Sequence, residues 1–164
     1  METSLNIFLN KKILIYGLGK TGLSVYKFLK DKSTVSIYDD FNLNSKSLKI
    51  KKNFVNYKKI LKTEFDKIII SPGIDINKCK LSKFLKKNLN KIHSDLDVFY
   101  SFFKNDCITI TGTNGKSTTC QLLYEVLLNQ KIDVKLVGNI GYPILSVKNI
   151  KKKTIFIIEA SSYQ

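Results

Sequence analysis

Short apolar strands alternate with helices along this chain, and two glycine turns each stand between a strand and a helix; together they predict an α/β protein built on parallel sheets. The 164 residues suit one ordinary domain or two small ones. With 43% hydrophobic and 25% charged residues the composition is that of a globular chain, not a disordered one.

Each element follows from local pattern. Residues 12–16 (KILIY) are a β-favouring apolar run that stops at Gly17. Residues 21–30 carry Leu23, Val25, Tyr26, Phe28 and Leu29 on a mostly helical period, so strand, glycine turn and helix succeed one another. A second strand over 34–38 (TVSIY) ends at Asp39 and Asp40, and a third over 67–70 (KIII) ends at Ser71-Pro72-Gly73. A helix over 78–87 and a brief strand over 91–93 complete this series, while the lysine-rich residues 41–62 are too weakly patterned to assign. Residues 95–103 (DLDVFYSFF) read as a connecting helix. A new series then begins with a strand over 107–111 (CITIT), a glycine loop, a helix over 116–129, a strand over 133–137, the loop GNIGYP and a strand over 154–159.

This order predicts one domain over 1–93, a connecting helix or linker over 94–105, and the first part of a second domain over 106–164. The second series has three strands and no helix left to cover the last of them, so that domain is expected to be incomplete at residue 164.

The formal charge is +15, from 28 basic residues against 13 acidic ones. Every basic residue is lysine, and Trp is absent while Ala occurs once, at Ala160, a drift toward Ile, Lys and Asn. Readers of nucleic acid lean on the bidentate arginine fork, which this inventory lacks, so the charge is read as a solvated surface and nucleic acid is not expected as a partner. The three cysteines make no CxxC pair and signal neither a disulfide framework nor a zinc site. No apolar run reaches the roughly 18 residues of a membrane span and the first residues lack a secretory pattern, so a cytoplasmic protein is expected. Against this background all eight glycines and both prolines fall in four segments: GLGKTG, SPG, TGTNGKST and GNIGYP.

Gly17-Leu18-Gly19-Lys20-Thr21-Gly22 fits G-x-G-x-x-G between a strand and a helix, with Asp39 or Asp40 about 20 residues on. Glycines admit a phosphate close to the backbone, the helix N-terminus supplies N–H donors, and the acid takes a sugar hydroxyl. The first domain therefore reads as Rossmann-like. The turn does not distinguish NAD from other diphosphate-linked nucleotides, so an NAD-dependent oxidoreductase or a nucleotide-sensing domain is the alternative. Ser71-Pro72-Gly73 lies at the same carboxyl edge, where ligands bind in open α/β sheets.

Gly112, Thr113, Asn114, Gly115, Lys116, Ser117 and Thr118 follow an apolar strand and open a helix, the context of a P-loop. Lys116 would reach the terminal phosphates and Ser117 a magnesium ion. The loop is shorter than the ordinary pattern, since Ile110 stands where its first glycine would be. Glu159 ends the strand IFIIE and would stand beside this loop if the two strands are neighbours, placed to hold Mg²⁺. These features predict the truncated start of a P-loop ATPase-type domain. His93, the single histidine, has no ligand-spaced neighbours and reads as structural.

GTNGKST after a strand, GNIG before Tyr142-Pro143, and EASSYQ after another strand, together with GLGKTGLS and SPGI, resemble the Mur ligases over residues 12–164, and within them the D-glutamate-adding branch. The resemblance implies peptidoglycan precursor synthesis by an ATP-dependent, amide-bond-forming ligase that uses Mg²⁺. The first domain would bind the UDP part of UDP-N-acetylmuramoyl-L-alanine, with Gly19, Lys20 and Thr21 at the diphosphate, Asp39 near the uridine, and Ser71, Pro72 and Gly73 lining the cleft. ATP would lie on residues 112–118, with Lys116 and Glu159 catalytic and Ser117 and Glu159 on the metal. Asn139, Ser161 and Gln164 would face the muramoyl substrate and the metal site. Members of the family hold D-glutamate in a further C-terminal part, so the 164-residue chain alone is expected to form no amide bond.

Overall fold

The computed structural model describes residues 6–41 and 48–161. The chain divides between residues 101 and 102 into two compact units. Among the described residues no helix is long and apolar enough to cross a membrane.

The first unit is a four-stranded sheet in the order β2-β1-β3-β4, with all pairs parallel. Its strands are β1 (Lys12–Tyr16), β2 (Thr34–Tyr38), β3 (Lys67–Ile70) and β4 (Ile92–His93). Helices α1 (Lys20–Leu29), α2 (Leu48–Lys51), α3 (Tyr57–Lys62), α4 (Ser82–Lys87) and α5 (Asp95–Phe102) complete the order of elements up to that point. Ile13, Leu14, Ile15 and Tyr16 are all buried, as strands covered on both faces must be. Each such Ile or Leu contributes roughly 1.5–3 kcal/mol relative to exposure. The chain passes from β1 to β2 on one side and returns to β3 on the other, so the strand order reverses between β1 and β3. A crevice opens at the carboxyl ends of strands at such a reversal.

Two local differences from the sequence-based expectation have physical causes. The helix expected over 78–87 begins only at Ser82; residues before it form tight turns in which Asp75 accepts hydrogen bonds from the backbone N–H groups of Lys78 and Cys79. The unassigned residues 41–62 hold α2 and α3, whose signal is one of capping and not of period. The Asn56 side chain accepts from the Lys59 backbone N–H and starts α3, and Ile60 alone of its residues is buried.

Gly22 sets how close α1 comes to β1. A Cβ at this position would lie 1.9 Å from the Gly17 carbonyl oxygen, so no other residue permits this approach. Gly19, by contrast, is exposed and has open space around it.

The second unit is a three-stranded parallel sheet in the order β5-β7-β6. Its elements are β5 (Cys107–Ile110), α6 (Lys116–Asn129), β6 (Val134–Gly138) and β7 (Ile155–Glu159). α6 rests on the sheet through Cys120, which clusters with Val134 and Ile157. Burial and then the neighbouring Glu159 charge push the Cys120 thiol up, so it behaves as the small apolar residue that the sequence suggests.

His93 is structural in its surroundings. Its ring meets Phe8 edge-on, with centroids 5.1 Å apart, and its Nε2 lies 3.1 Å from Lys67 Nζ. Burial, then the Lys67 charge, hold its pKa below the ordinary 6.5, while Asp97 opposes them. The unfolded chain therefore takes up this proton before the folded one does, and stability is fully present above about pH 6.5 and declines as pH falls toward the folded value. Thermal midpoints measured between pH 5 and 8 are expected to rise with pH through that window, and His93→Gln is expected to flatten the rise; an equal rise in both proteins contradicts this assignment.

Candidate functional site

In the first unit the residues at the carboxyl ends of β1, β2 and β3 come together. The Gly17 N–H donates to the Tyr38 carbonyl, the Ser71 N–H to the Tyr16 carbonyl, and the Ser71 hydroxyl to the Gly17 carbonyl at 3.0 Å. Asp39 ties two loops. Its Oδ2 accepts from the Leu18 N–H at 2.6 Å and its Oδ1 from the Phe41 N–H at 2.9 Å. Hydrogen bonds to a charged group contribute about 1.5–3 kcal/mol each, so this carboxylate fixes the glycine turn and the chain after β2 together. Asp40 is held as well: its Oδ2 accepts from the Tyr16 hydroxyl at 2.6 Å, and its carbonyl from Lys80 Nζ at 3.1 Å. Burial and this contact push the Tyr16 phenol well above its usual range, so it remains a donor.

A cleft of about 670 Å³ lies against these acids, walled by Tyr38, Phe41, Phe54 and Tyr57. Its size is that of a small-molecule site. Gly19 and Lys20 are exposed at the start of α1, as are Asp39 in part and Gly73, while Thr21, Ser71 and Pro72 are half-buried.

In the second unit the loop from Thr111 to Gly115 follows β5, turns through a left-handed Gly115 and delivers α6. Its N-terminal amides are the kind of donors that wrap phosphate. Lys116 folds back over the loop, with Nζ 2.5 Å from the Gly112 carbonyl. β7 lies between β5 and β6, and the register places Glu159 level with Ile110 on one side and with Gly138 on the other. The Glu159 carboxylate is 4% exposed and accepts from the Ser117 hydroxyl at 2.8 Å. The neighbourhood that the sequence made conditional on adjacent strands is thus present.

A buried carboxylate calls for a partner of opposite charge. Among the described residues no lysine forms an ion pair with Glu159. No group of three or more His, Cys, Asp or Glu occurs among the described residues, so a metal here would take its other ligands from water and phosphate.

Residues 11–93 match the family model "Mur ligase MurD-like, N-terminal domain", and residues 110–164 match "Mur ligase middle domain". The chain belongs to the Mur ligase family. It is 35% identical over 164 residues to the UDP-N-acetylmuramoylalanine--D-glutamate ligase of Rickettsia bellii (strain RML369-C), which covers 98% of this chain and 36% of the relative. It is 39% identical over 162 residues to the enzyme of the same name from Buchnera aphidicola subsp. Schizaphis graminum, with 96% of this chain and 36% of the relative covered. A Rickettsia prowazekii (strain Madrid E) relative of that name is 37% identical, again over 36% of its length. This Mur ligase chain thus spans little more than a third of the relatives that it matches.

Within this Mur ligase framework the remaining sequence candidates have definite places. Thr113, Asn114, Ser117 and Thr118 are exposed at the mouth of the second unit's loop, and Gly112 is half-buried. Asn139 is exposed just beyond β6, and its backbone N–H donates to the Glu159 carbonyl. Ser161 follows Glu159 by two residues and is half-buried; Gln164 lies outside the described residues.

Three features escaped the sequence reading. The aromatic wall from 54 to 57 belongs to the stretch left unassigned. The amide contacts of Asp39 are a second: each of its oxygens accepts from a backbone N–H, which no spacing in the sequence announces. Gly138 was grouped with a loop motif, yet it is a packing residue: at φ +106, a Cβ there would lie 2.2 Å from the Glu159 carbonyl oxygen. Nothing in the local pattern marks that contact, because it depends on strand order.

Gly138→Ala must push β6 away from Glu159. The substitution is expected to destabilise the second unit by about 1–3 kcal/mol. A thermal melt equal to that of the unmodified protein would contradict the role given to this contact.

Proposed function

We propose that this chain is the substrate- and ATP-binding part of a ligase that adds D-glutamate to UDP-N-acetylmuramoyl-L-alanine, a cytoplasmic step of peptidoglycan precursor synthesis. The observation that carries the reading is the 2.8 Å contact of Ser117 with buried Glu159 at the mouth of the TGTNGKST loop, in a chain of this family. The names of the relatives support the choice of amino acid, and D-glutamate itself would be held by the remainder of the enzyme.

The first unit anchors the UDP group. Gly19, Lys20 and Thr21 offer backbone amides and one cation to the diphosphate, with Ser71, Pro72 and Gly73 forming the opposite lip. The second unit holds ATP by the amides of residues 112–118. Lys116 leaves the Gly112 carbonyl to reach the β- and γ-phosphates. Ser117 and Glu159 would hold Mg²⁺, which when bound offsets phosphate charge and polarises the γ-phosphoryl group. Asn139 and Ser161, near the end of β7, border the same phosphate edge and would orient the muramoyl part, with Gln164 following them in the chain.

The chemistry needs no enzyme nucleophile. An oxygen of the substrate's alanyl carboxylate attacks the γ-phosphorus and ADP leaves, giving an acyl phosphate. The D-glutamate amine then attacks the acyl carbon and loses a proton, and phosphate departs from the tetrahedral intermediate. The first step brings a carboxylate against a polyphosphate, so the main obstacle is repulsion between anions. Lys116 answers it as a fixed positive charge whose value rises where water is excluded.

Lys116→Ala in the full-length enzyme is expected to lower kcat for D-glutamate-dependent phosphate release by roughly 10²-fold or more. Turnover within a few-fold of the unmodified enzyme would remove Lys116 from this role. Calorimetric binding of UDP, with no response to NADH, is the expected behaviour of the first unit; the reverse pattern would favour a dehydrogenase.

A further inference from the structure

The cleft beyond β2 carries an aromatic residue that the fold itself does not use. Phe41 is 83% exposed, the most exposed large apolar side chain among the described residues. An apolar ring so placed gains nothing from packing, yet its backbone is fastened: the Phe41 N–H donates to Asp39 Oδ1 at 2.9 Å. The other oxygen of the same carboxylate holds the Leu18 N–H of the glycine turn at 2.6 Å. One side chain therefore fixes the distance between the turn that faces a diphosphate and the aromatic lip of the cleft.

The opposing parts suit a flat polar ring. Tyr57, 42% exposed, lines the cleft with Phe41. Asp40 beside them is held by the Tyr16 hydroxyl and by Lys80 Nζ on its carbonyl, so the polar side of the cleft keeps its shape. A nucleoside has the matching form, a planar base with polar edges joined through a sugar to phosphate. Stacking on an aromatic face recognises the π-surface of a base and spares the protein a dedicated set of hydrogen bonds.

We propose that Phe41 is the platform on which the base of the UDP group stacks, and that Asp39 is the positioning residue that holds this platform in reach of the glycine turn. The inference rests on the reading of the first unit as a UDP site. It gives Asp39 a structural task beside the ligand contact that the sequence suggests, and makes an otherwise unexplained exposed phenylalanine a determinant of affinity.

The sequence contains no tryptophan, so Phe41→Trp introduces a single reporter at the lip of the cleft. In this chain, UDP is expected to change the emission of that tryptophan saturably, and inorganic pyrophosphate to leave it unchanged. By calorimetry, Phe41→Leu and Phe41→Ala should bind UDP roughly 5- to 150-fold more weakly, with pyrophosphate affinity unaltered, and Phe41→Trp should retain UDP affinity. Asp39→Asn should weaken both ligands, because it loosens the turn as well as the lip. If UDP binds the unmodified chain and Phe41→Leu binds it equally well, the platform is refuted while the UDP site stands. If the unmodified chain binds pyrophosphate but gains nothing from the uridine of UDP, the nucleoside reading fails and the platform with it.

Discussion

The second unit depends on one buried charge. Glu159 ends the central strand of a parallel sheet, almost wholly removed from solvent, with a serine hydroxyl as its hydrogen-bond donor. Its place is set by pairing on both sides: Ile110 on β5 and Gly138 on β6 stand level with it. The Asn139 N–H holds its carbonyl, and the Ala160 N–H donates to the Ile110 carbonyl across the other pair. A carboxylate fixed by backbone in this way cannot relax away from the phosphate loop. Under the proposed function, this is where a bound cation would offset the cost of burying a carboxylate.

The first unit uses the same geometry to another end. Parallel strands carry all their carboxyl ends to one edge, so an acid after β2 lies beside a turn after β1 without any special folding of the loop. Asp39 accepts from two backbone amides, one on each oxygen, and so shapes the loops around it. Glu159 has one donor and keeps capacity for an external partner. The two acids look alike in the sequence, each at the end of an apolar strand. What separates them is the number of amides within reach, which only the folded loops determine.

That difference marks how far the residues alone can be read. Strands such as KILIY, KIII and IFIIE were readable because a strand buried on both faces needs an unbroken apolar run. The glycine loops were readable because this lysine- and isoleucine-rich composition keeps most of its glycines where backbone approach or a positive φ demands them, Gly19 and Gly73 apart. The helices between β2 and β3 were not, since α2 and α3 are four and six residues long, α3 buries only Ile60, and a turn of helix capped by Asn56 leaves no period to detect. The aromatic cleft went unseen for the same reason: its walls Phe41, Phe54 and Tyr57 belong to that stretch. Contacts that depend on register, such as Gly138 against Glu159, follow from strand order, which pattern alone leaves open.

The central claim is that Ser117 and Glu159 form a divalent-cation site serving the phosphate loop. Its most direct test is calorimetric ATP titration, with Mg²⁺ and with Mg²⁺ chelated, of the unmodified protein and of Glu159→Gln, a substitution that keeps an acceptor for Ser117 while removing the charge. The account predicts that chelation weakens ATP binding to the unmodified protein and leaves the variant unchanged at that weaker level. A variant that keeps the full Mg²⁺ dependence would contradict it.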